Sequence, residues 1–162
     1  MKKLYIFLLI IYTTNGCSGN NSEKINQMTL SENSNVKKEL VKISSQFYKD
    51  YQPFLTSDQS YFERFIKNNS YYFSVNLTKI LLEEVSCREE GYVCNLDSDP
   101  FYNSQDKISA ISFNYLNGKS VEAEFSDKSK ITLVFNCSDK CVISNFVYSD
   151  GTDLMTKLQQ QD

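Results

Sequence analysis

Acidic and aromatic side chains offer the widest choice of chemistry in this chain, because its 162 residues include no histidine. Histidine is the commonest general base at neutral pH and the usual partner of a serine or cysteine nucleophile. The sequence also has only five glycines and no Gly-x-Gly run that would cradle a phosphate. We therefore predict no catalytic residue and no cofactor, and we expect a function in binding rather than catalysis.

Paired carboxylates are the remaining candidates for acid–base chemistry. A glycosidase needs two carboxyl groups that face each other at a set separation. Glu83 and Glu84 are adjacent, and adjacent residues on a helix point in different directions, so we expect this pair to lie on a solvated helix face. An enzyme that uses acidic residues alone is the third of three hypotheses for the function.

A second acidic group surrounds Pro100 and comprises Asp97, Asp99, Asn103 and Asp106. Its oxygens would suit calcium, but the spacing lacks the glycine and the third acidic position of an EF-hand loop. We expect these acids to cap a helix or a turn around Pro100, and we predict no metal site.

Aromatic residues are abundant, with eleven Phe, eleven Tyr and no Trp. Most should form the core, but Tyr71, Tyr72 and Phe73 cannot all face inward from one element, so at least one should be exposed. Tyrosine serves protein interfaces well because its body is apolar and its tip is polar. The predicted binding surface combines aromatic, acidic and amide residues: Tyr71, Tyr72, Asp97, Asp99, Phe101, Tyr102, Gln105 and Asp106.

The N-terminal residues have the layout of a secretory signal, with Lys2 and Lys3, a short apolar run and Gly16 before Cys17. The apolar run is far shorter than the roughly 20 residues of a membrane-spanning helix. We predict a leader over 1–16, a lipidated Cys17 in a lipobox-like setting and a flexible polar tether over 17–35. The alternative is an ordinary cleaved leader with an unpaired Cys17.

The other four cysteines form an even set, which suggests disulfides in an exported chain. Of the three possible connectivities we favour the local one, Cys87 with Cys94 and Cys137 with Cys141. A zinc site is the alternative, with loose spacing and no histidine. The net charge of -3 and the absence of a basic cluster argue against nucleic acid as a partner.

The spacing of apolar residues predicts three helices in the first part of a single domain over 36–162. Apolar residues recur at steps of three and four from Val36 to Tyr51, with Pro53 closing the first helix. A second helix is expected over 58–67 and a third over 74–89. In the third helix we expect four apolar side chains to face inward: Leu77, Ile80, Leu81 and Val85.

After Asp106 the pattern changes to strict alternation, which is typical of strands. Asn117-Gly118 predicts a type I′ hairpin between strands around 111–115 and 121–125. A central strand over 131–135, a last strand over 142–148 and a short helix over 153–160 follow. Helices segregated before a meander predict an α+β fold, with the helices on one face of a curved four-stranded antiparallel sheet.

Three stretches resemble a family of small exported bacterial proteins known as domain of unknown function 3828. They are Phe47-Tyr48-x-x-Tyr51, the segment 97–106 and the segment 142–151. The chain departs from the family at Cys141, where similar proteins usually have tryptophan. The resemblance implies a fold similar in outline to the nuclear-transport-factor-2-like and cystatin-like folds. Some members resemble immunity lipoproteins, which neutralise toxins in the periplasm.

These observations lead to one principal hypothesis and two others. The first is a lipid-anchored, non-enzymatic protein on the periplasmic side of a bacterial membrane that binds another exported, toxin-like protein. The second is an envelope protein that binds a small ligand or a cell-wall fragment on the concave side of the sheet. The third is the enzyme that uses carboxylates alone.

Overall fold

The structure, a computed structural model, describes residues 21–53, 61–89, 94–104 and 109–159, without the side chains of 21–33 and Ile111. The leader 1–16, Cys17, Gln105 and Asp106 lie outside the described residues. The chain divides into two compact units, Met1–Asn33 and Ser34–Asp162. Of the first unit the structure gives the helical backbone from Asn21 onward, and every side-chain contact below belongs to the second.

Helix α1 (Asn21–Tyr51) begins well before the predicted start at Val36. The predicted start of this helix is therefore wrong, because helical backbone already covers 21–35. No glycine or proline interrupts the chain between Asn21 and Tyr51, so the polar composition that suggested a tether does not stop a helix. Its last three turns bury a stripe of side chains, namely Leu40, Ser44, Phe47, Tyr48 and Tyr51.

Two further helices follow close to their predicted positions. Helix α2 (Tyr61–Asn68) buries Phe62, Phe65 and Ile66. After a 3₁₀ turn (Ser70–Tyr72), helix α3 (Val75–Glu89) begins where the Ser74 hydroxyl accepts the backbone N–H of Leu77 at 3.2 Å, a typical N-cap contact. Its buried apolar residues are the four that were predicted, Leu77, Ile80, Leu81 and Val85.

The second half of the domain is an open four-stranded antiparallel sheet in the order β1-β2-β3-β4. The strands are β1 (Ala110–Tyr115), β2 (Ser120–Phe125), β3 (Lys130–Cys137) and β4 (Cys141–Tyr148). Along β2 every second residue is buried, because one face of the sheet packs on the core and the other meets solvent. Helix α4 (Leu154–Gln159) closes the described chain, so the predicted α+β class is confirmed.

The β1–β2 turn differs from the predicted type I′ turn. Gly118 has a positive φ of 53°, but Asn117 does not share it. The N–H of Ser120 donates to the carbonyl of Asn117 at 3.1 Å, so Gly118 and Lys119 occupy the central positions. Positive φ at the first central residue alone is the requirement of a type II′ turn, which also suits the right-handed twist of a hairpin.

Both disulfides have the predicted local connectivity. Cys87 pairs with Cys94 across Cα atoms 6.0 Å apart, and Cys137 pairs with Cys141 at the β3–β4 turn. Disulfides persist in oxidising compartments, so the chain has the chemistry of a protein outside the reducing cytoplasm. Within the described ranges, no helix is both long enough and apolar enough to cross a membrane.

The core between the helices and the sheet is rich in aromatic rings. The ring of Phe47 lies 5.1 Å from that of Phe101 and 5.7 Å from that of Phe146 on β4. Tyr48 contacts the ring of Phe125 on β2 at 5.3 Å. These rings fill the helix-facing side of the sheet, and edge-to-face pairs add to the stability that their burial provides.

Candidate functional site

The described residues of the predicted aromatic and acidic surface do not form one exposed surface. Tyr72, Phe101 and Tyr102 are buried, whereas Asp97 is exposed. Burying a large aromatic side chain is more favourable than leaving it in water, and the structure supplies partners for the polar groups beside these rings. The burial of Phe101 and Tyr102 contradicts their assignment to a binding surface. Tyr72 is also buried, and Tyr71 is the aromatic residue of the set that is exposed.

Asp99 caps the turn that follows Pro100, as was predicted for the acids of this segment. Its Oδ1 accepts the backbone N–H groups of Phe101 at 2.8 Å and Tyr102 at 3.2 Å. Its Oδ2 accepts the hydroxyl hydrogens of Tyr51 at 2.6 Å and Tyr61 at 3.0 Å. The carboxylate therefore ties the segment 95–104 to α1 and α2.

Two more tyrosine hydroxyls hold the same segment by its backbone. Tyr48 donates to the carbonyl of Phe101 at 2.9 Å, and Tyr148 donates to the carbonyl of Pro100 at 3.1 Å. We call Tyr48, Tyr51, Tyr61 and Tyr148 the tyrosine clasp. The sequence places these rings in the core, but it carries no sign that their hydroxyls converge on one loop.

Burial raises the pKa of Asp99 above its ordinary value of 3.8, and the hydrogen bonds from Tyr51, the Phe101 N–H, Tyr61 and the Tyr102 N–H oppose that shift. Burial also raises the pKa of Tyr61 to about 12, with the Asp99 charge adding to the shift. A partly buried carboxylate that already accepts four structural hydrogen bonds is poorly placed to meet a substrate. Asp99 therefore acts in stability.

The raised pKa of Asp99 predicts a specific pH dependence of stability. The folded state holds the Asp99 proton more tightly than the unfolded chain, so this contribution to stability is complete below 3.8 and falls as pH rises through the folded pKa. In urea unfolding from about pH 3 to about pH 6, the stability of the unsubstituted chain relative to Asp99→Asn should decrease.

Asp150 provides a control with the opposite sign. The hydroxyl and the N–H of Thr152 lower the pKa of Asp150, so its contribution is lost as pH falls. The stability of the unsubstituted chain relative to Asp150→Asn should therefore increase with pH over the same series. Parallel slopes for the two comparisons would contradict the assignment of a raised pKa to Asp99.

A groove between α1, the 3₁₀ turn and the β3–β4 turn encloses about 590 Å³. Tyr71 stands in this groove with 55% of its surface exposed. The lining residues carry two charges of each sign: Glu39, Lys42, Ile43, Gln46, Asp50, Tyr71, Tyr72, Lys140 and Cys141. We call this surface the Tyr71 groove.

Tyr71 rests on a fixed base. Its ring centroid lies 4.6 Å from that of Tyr72, and the Tyr72 hydroxyl donates to Oδ2 of Asp50 at 2.6 Å. Gln46 donates to the other oxygen of Asp50 at 2.7 Å. Burial and the hydrogen bond to Asp50 raise the pKa of Tyr72, so its hydroxyl stays protonated as the donor.

The Tyr71 groove combines an exposed aromatic ring, a hydrogen-bonded support and charges of both signs, which are features common at binding surfaces. Among the residues that the structure describes, no three His, Cys, Asp or Glu side chains are grouped so as to hold a metal ion. Sequence reasoning found Tyr71 and Tyr72. It missed Glu39, Lys42 and Lys140, because only the tertiary fold brings α1 next to the β3–β4 turn.

No protein-family model, curated protein or solved structure matches this chain.

Proposed function

We propose that this protein is an exported, lipid-anchored binding protein that recognises another exported protein through the Tyr71 groove. The exposed Tyr71, packed on the buried Tyr72 whose hydroxyl is bonded to Asp50, is the observation that carries the proposal. Tyrosines that combine an apolar ring with a polar tip are enriched at the positions that dominate protein interfaces. A base that is already ordered reduces the entropy lost on binding.

The partner we propose is a toxin-like protein that shares the envelope, which makes this chain an immunity protein on the periplasmic side of a bacterial membrane. Two disulfides support an oxidising compartment. The lipobox-like Gly16-Cys17 pair supports an anchor that keeps the domain where such a toxin would arrive.

The alternative of a small-ligand or cell-wall-fragment binder has less support. That hypothesis requires an open apolar cavity on the sheet, of the kind that encloses most of a bound ligand. In the described part of the domain, the helix-facing side of the sheet is instead filled by rings such as Phe47, Phe125 and Phe146.

Affinity capture tests the proposal. The chain, immobilised with its disulfides intact, should retain one exported protein at a near-equal amount from extracts of its own and competing bacteria. The Tyr71→Ala variant should bind that protein about tenfold more weakly or worse, with an unchanged unfolding midpoint. Val75→Ala is the matched control, because Val75 is 89% exposed and lies outside the lining of the groove.

The capture experiment has two outcomes that would sink the protein-binding proposal. One is recovery of no exported protein from any extract. The other is equal weakening by Tyr71→Ala and Val75→Ala, which would place the binding surface elsewhere. The anchor is tested separately, because Cys17→Ala should release the chain from the membrane fraction. Continued membrane association of that variant would exclude Cys17 as the anchor.

A further inference from the structure

The two edges of the sheet differ in whether other parts of the chain form hydrogen bonds with their backbone. At the β4 edge, the N–H of Ser74 donates to the carbonyl of Ile143 at 2.8 Å. Val147 and Asp153 form an isolated antiparallel β-bridge at the same edge. Residues of the loop before α3 and of the turn before α4 therefore cover that edge. Unpaired edges are ready templates for another strand, and covering them is a common way to prevent such pairing.

In the described part of the chain, no backbone group pairs with the outer edge of β1. Leu116 donates to the carbonyl of Ser120, and the register pairs Asn114 with Glu122 and Ser112 with Glu124. Alternate residues of an antiparallel strand point their backbone groups in opposite directions. The N–H and C=O groups of Phe113 and Tyr115 therefore point away from β2, and no described residue bonds to them.

The β1 strand also lacks the residues that usually discourage strand addition. No charged residue and no proline occurs from 108 to 118, whereas lysine, proline and inward charges are the common protections of an edge. A register shift between Ala110 and Ser112 interrupts the strand at its start. The edge backbone is therefore regular from Ser112 onward. Its outward-pointing N–H and C=O groups belong to Phe113 and Tyr115.

We propose that β1 pairs with β1 of a second copy of this chain, antiparallel and about a twofold axis at Asn114, to give a continuous eight-stranded sheet. In this register, Phe113 of each copy exchanges two hydrogen bonds with Tyr115 of the other. All outward backbone groups after the register shift are then paired. A neutral strand suits self-pairing, since a charged residue near the axis would meet its own copy and like charges opposite each other are destabilising.

The wet face of β1 allows this pairing to be tested without disturbing the core. Asn114 is exposed and Ser112 lies on the same face, opposite Glu124 on β2. In the proposed register the two Asn114 Cα atoms lie about 4.5 Å apart, within the range of a disulfide. The two Ser112 Cα atoms lie about 13 Å apart along the strands, well outside that range.

Oxidative cross-linking of the full-length chain in detergent provides the test. Asn114→Cys should give a disulfide-linked dimer on a non-reducing gel, and Ser112→Cys should stay monomeric under the same conditions. Asn114→Lys should lower the dimer fraction of the otherwise unsubstituted chain in sedimentation, because two lysines would face each other across the axis. This pairing uses no residue of the Tyr71 groove and does not depend on the proposed function.

Three results would overturn the inference. Equal cross-linking at positions 112 and 114 would indicate random collision, and no cross-linking at 114 would exclude the register. A monomeric unsubstituted chain at about 100 μM, a concentration at which even a weak specific pairing is populated, would exclude the dimer independently of either cysteine variant.

Discussion

Phe101→Ala should lower the free energy of unfolding by about 3–5 kcal/mol, the range measured for aromatic-to-alanine changes in packed cores. Phe101 has no exposed surface. Its ring contacts those of Tyr51 at 4.9 Å and Phe146 at 5.0 Å and stacks on Phe73 at 5.7 Å. Its removal leaves a cavity bordered by α1, the 3₁₀ segment and β4, which cannot all relax into the same space. Urea unfolding followed by far-UV circular dichroism measures the effect.

Tyr71→Ala is the control for this prediction. Both residues are aromatic members of the predicted binding surface, but Tyr71 stands in solvent while Phe101 lies in the core. Most surface substitutions change stability by less than about 0.5 kcal/mol, so Tyr71→Ala should weaken partner binding and leave stability nearly unchanged. Similar losses of stability for the two variants would contradict the placement of Phe101 in the core.

Glu84→Ala should cost about 2–3 kcal/mol, since buried hydrogen bonds to a charged group are among the stronger ones. Glu84 is only 3% exposed. Its carboxylate accepts the backbone N–H groups of Asn95 and Leu96, each at 3.1 Å. It also accepts a hydrogen bond from the Nε–H of Arg88 at 3.1 Å. A second nitrogen of the Arg88 guanidinium donates to the carbonyl of Leu96. Without the carboxylate, the N–H groups of Asn95 and Leu96 lose their acceptor on α3.

Glu83→Ala provides a control of identical chemistry one residue away. Glu83 is 62% exposed and pairs with Lys79 across solvent at 3.7 Å, an interaction worth about 0.5 kcal/mol or less on a helix. Thermal unfolding of both variants should show a clear loss of midpoint for Glu84→Ala and almost none for Glu83→Ala. Equal midpoints would mean that Glu84 does not hold the segment after Cys94.

The different burial of Glu83 and Glu84 could not be predicted from the sequence. Both were expected on a solvated face, and that prediction is wrong for Glu84. Periodicity identifies the apolar side of α3 correctly through Leu77, Ile80, Leu81 and Val85. It treats a carboxylate as a surface group, because the donors that make its burial favourable come from Asn95 and Leu96, which lie beyond the helix.

Local sequence patterns predicted the meander and both disulfides, because the pairings join near neighbours in the chain. The alternation along β2 and the short spacing from Cys137 to Cys141 require no knowledge of the rest of the fold. The Tyr71 groove forms only where α1 packs beside Lys140. The hydrogen bonds to Asp99 come from α1 and α2, which lie far from it in sequence. Those arrangements depend on tertiary packing, so the sequence yielded Tyr71 and Asp99 as residues of interest without their surroundings.

The tyrosine clasp has a consequence for the order in which the molecule assembles. Tyr48 and the carbonyl of Phe101 are 53 residues apart, whereas Tyr51 and Asp99 are 48 apart. Within the sheet, each strand pairs only with strands that are its neighbours along the chain. Closing long loops costs more entropy and slows folding. We therefore expect the meander to form early and the segment 95–104 to dock late, so that the amides of Phe101 and Tyr102 exchange with solvent through openings that leave the sheet intact.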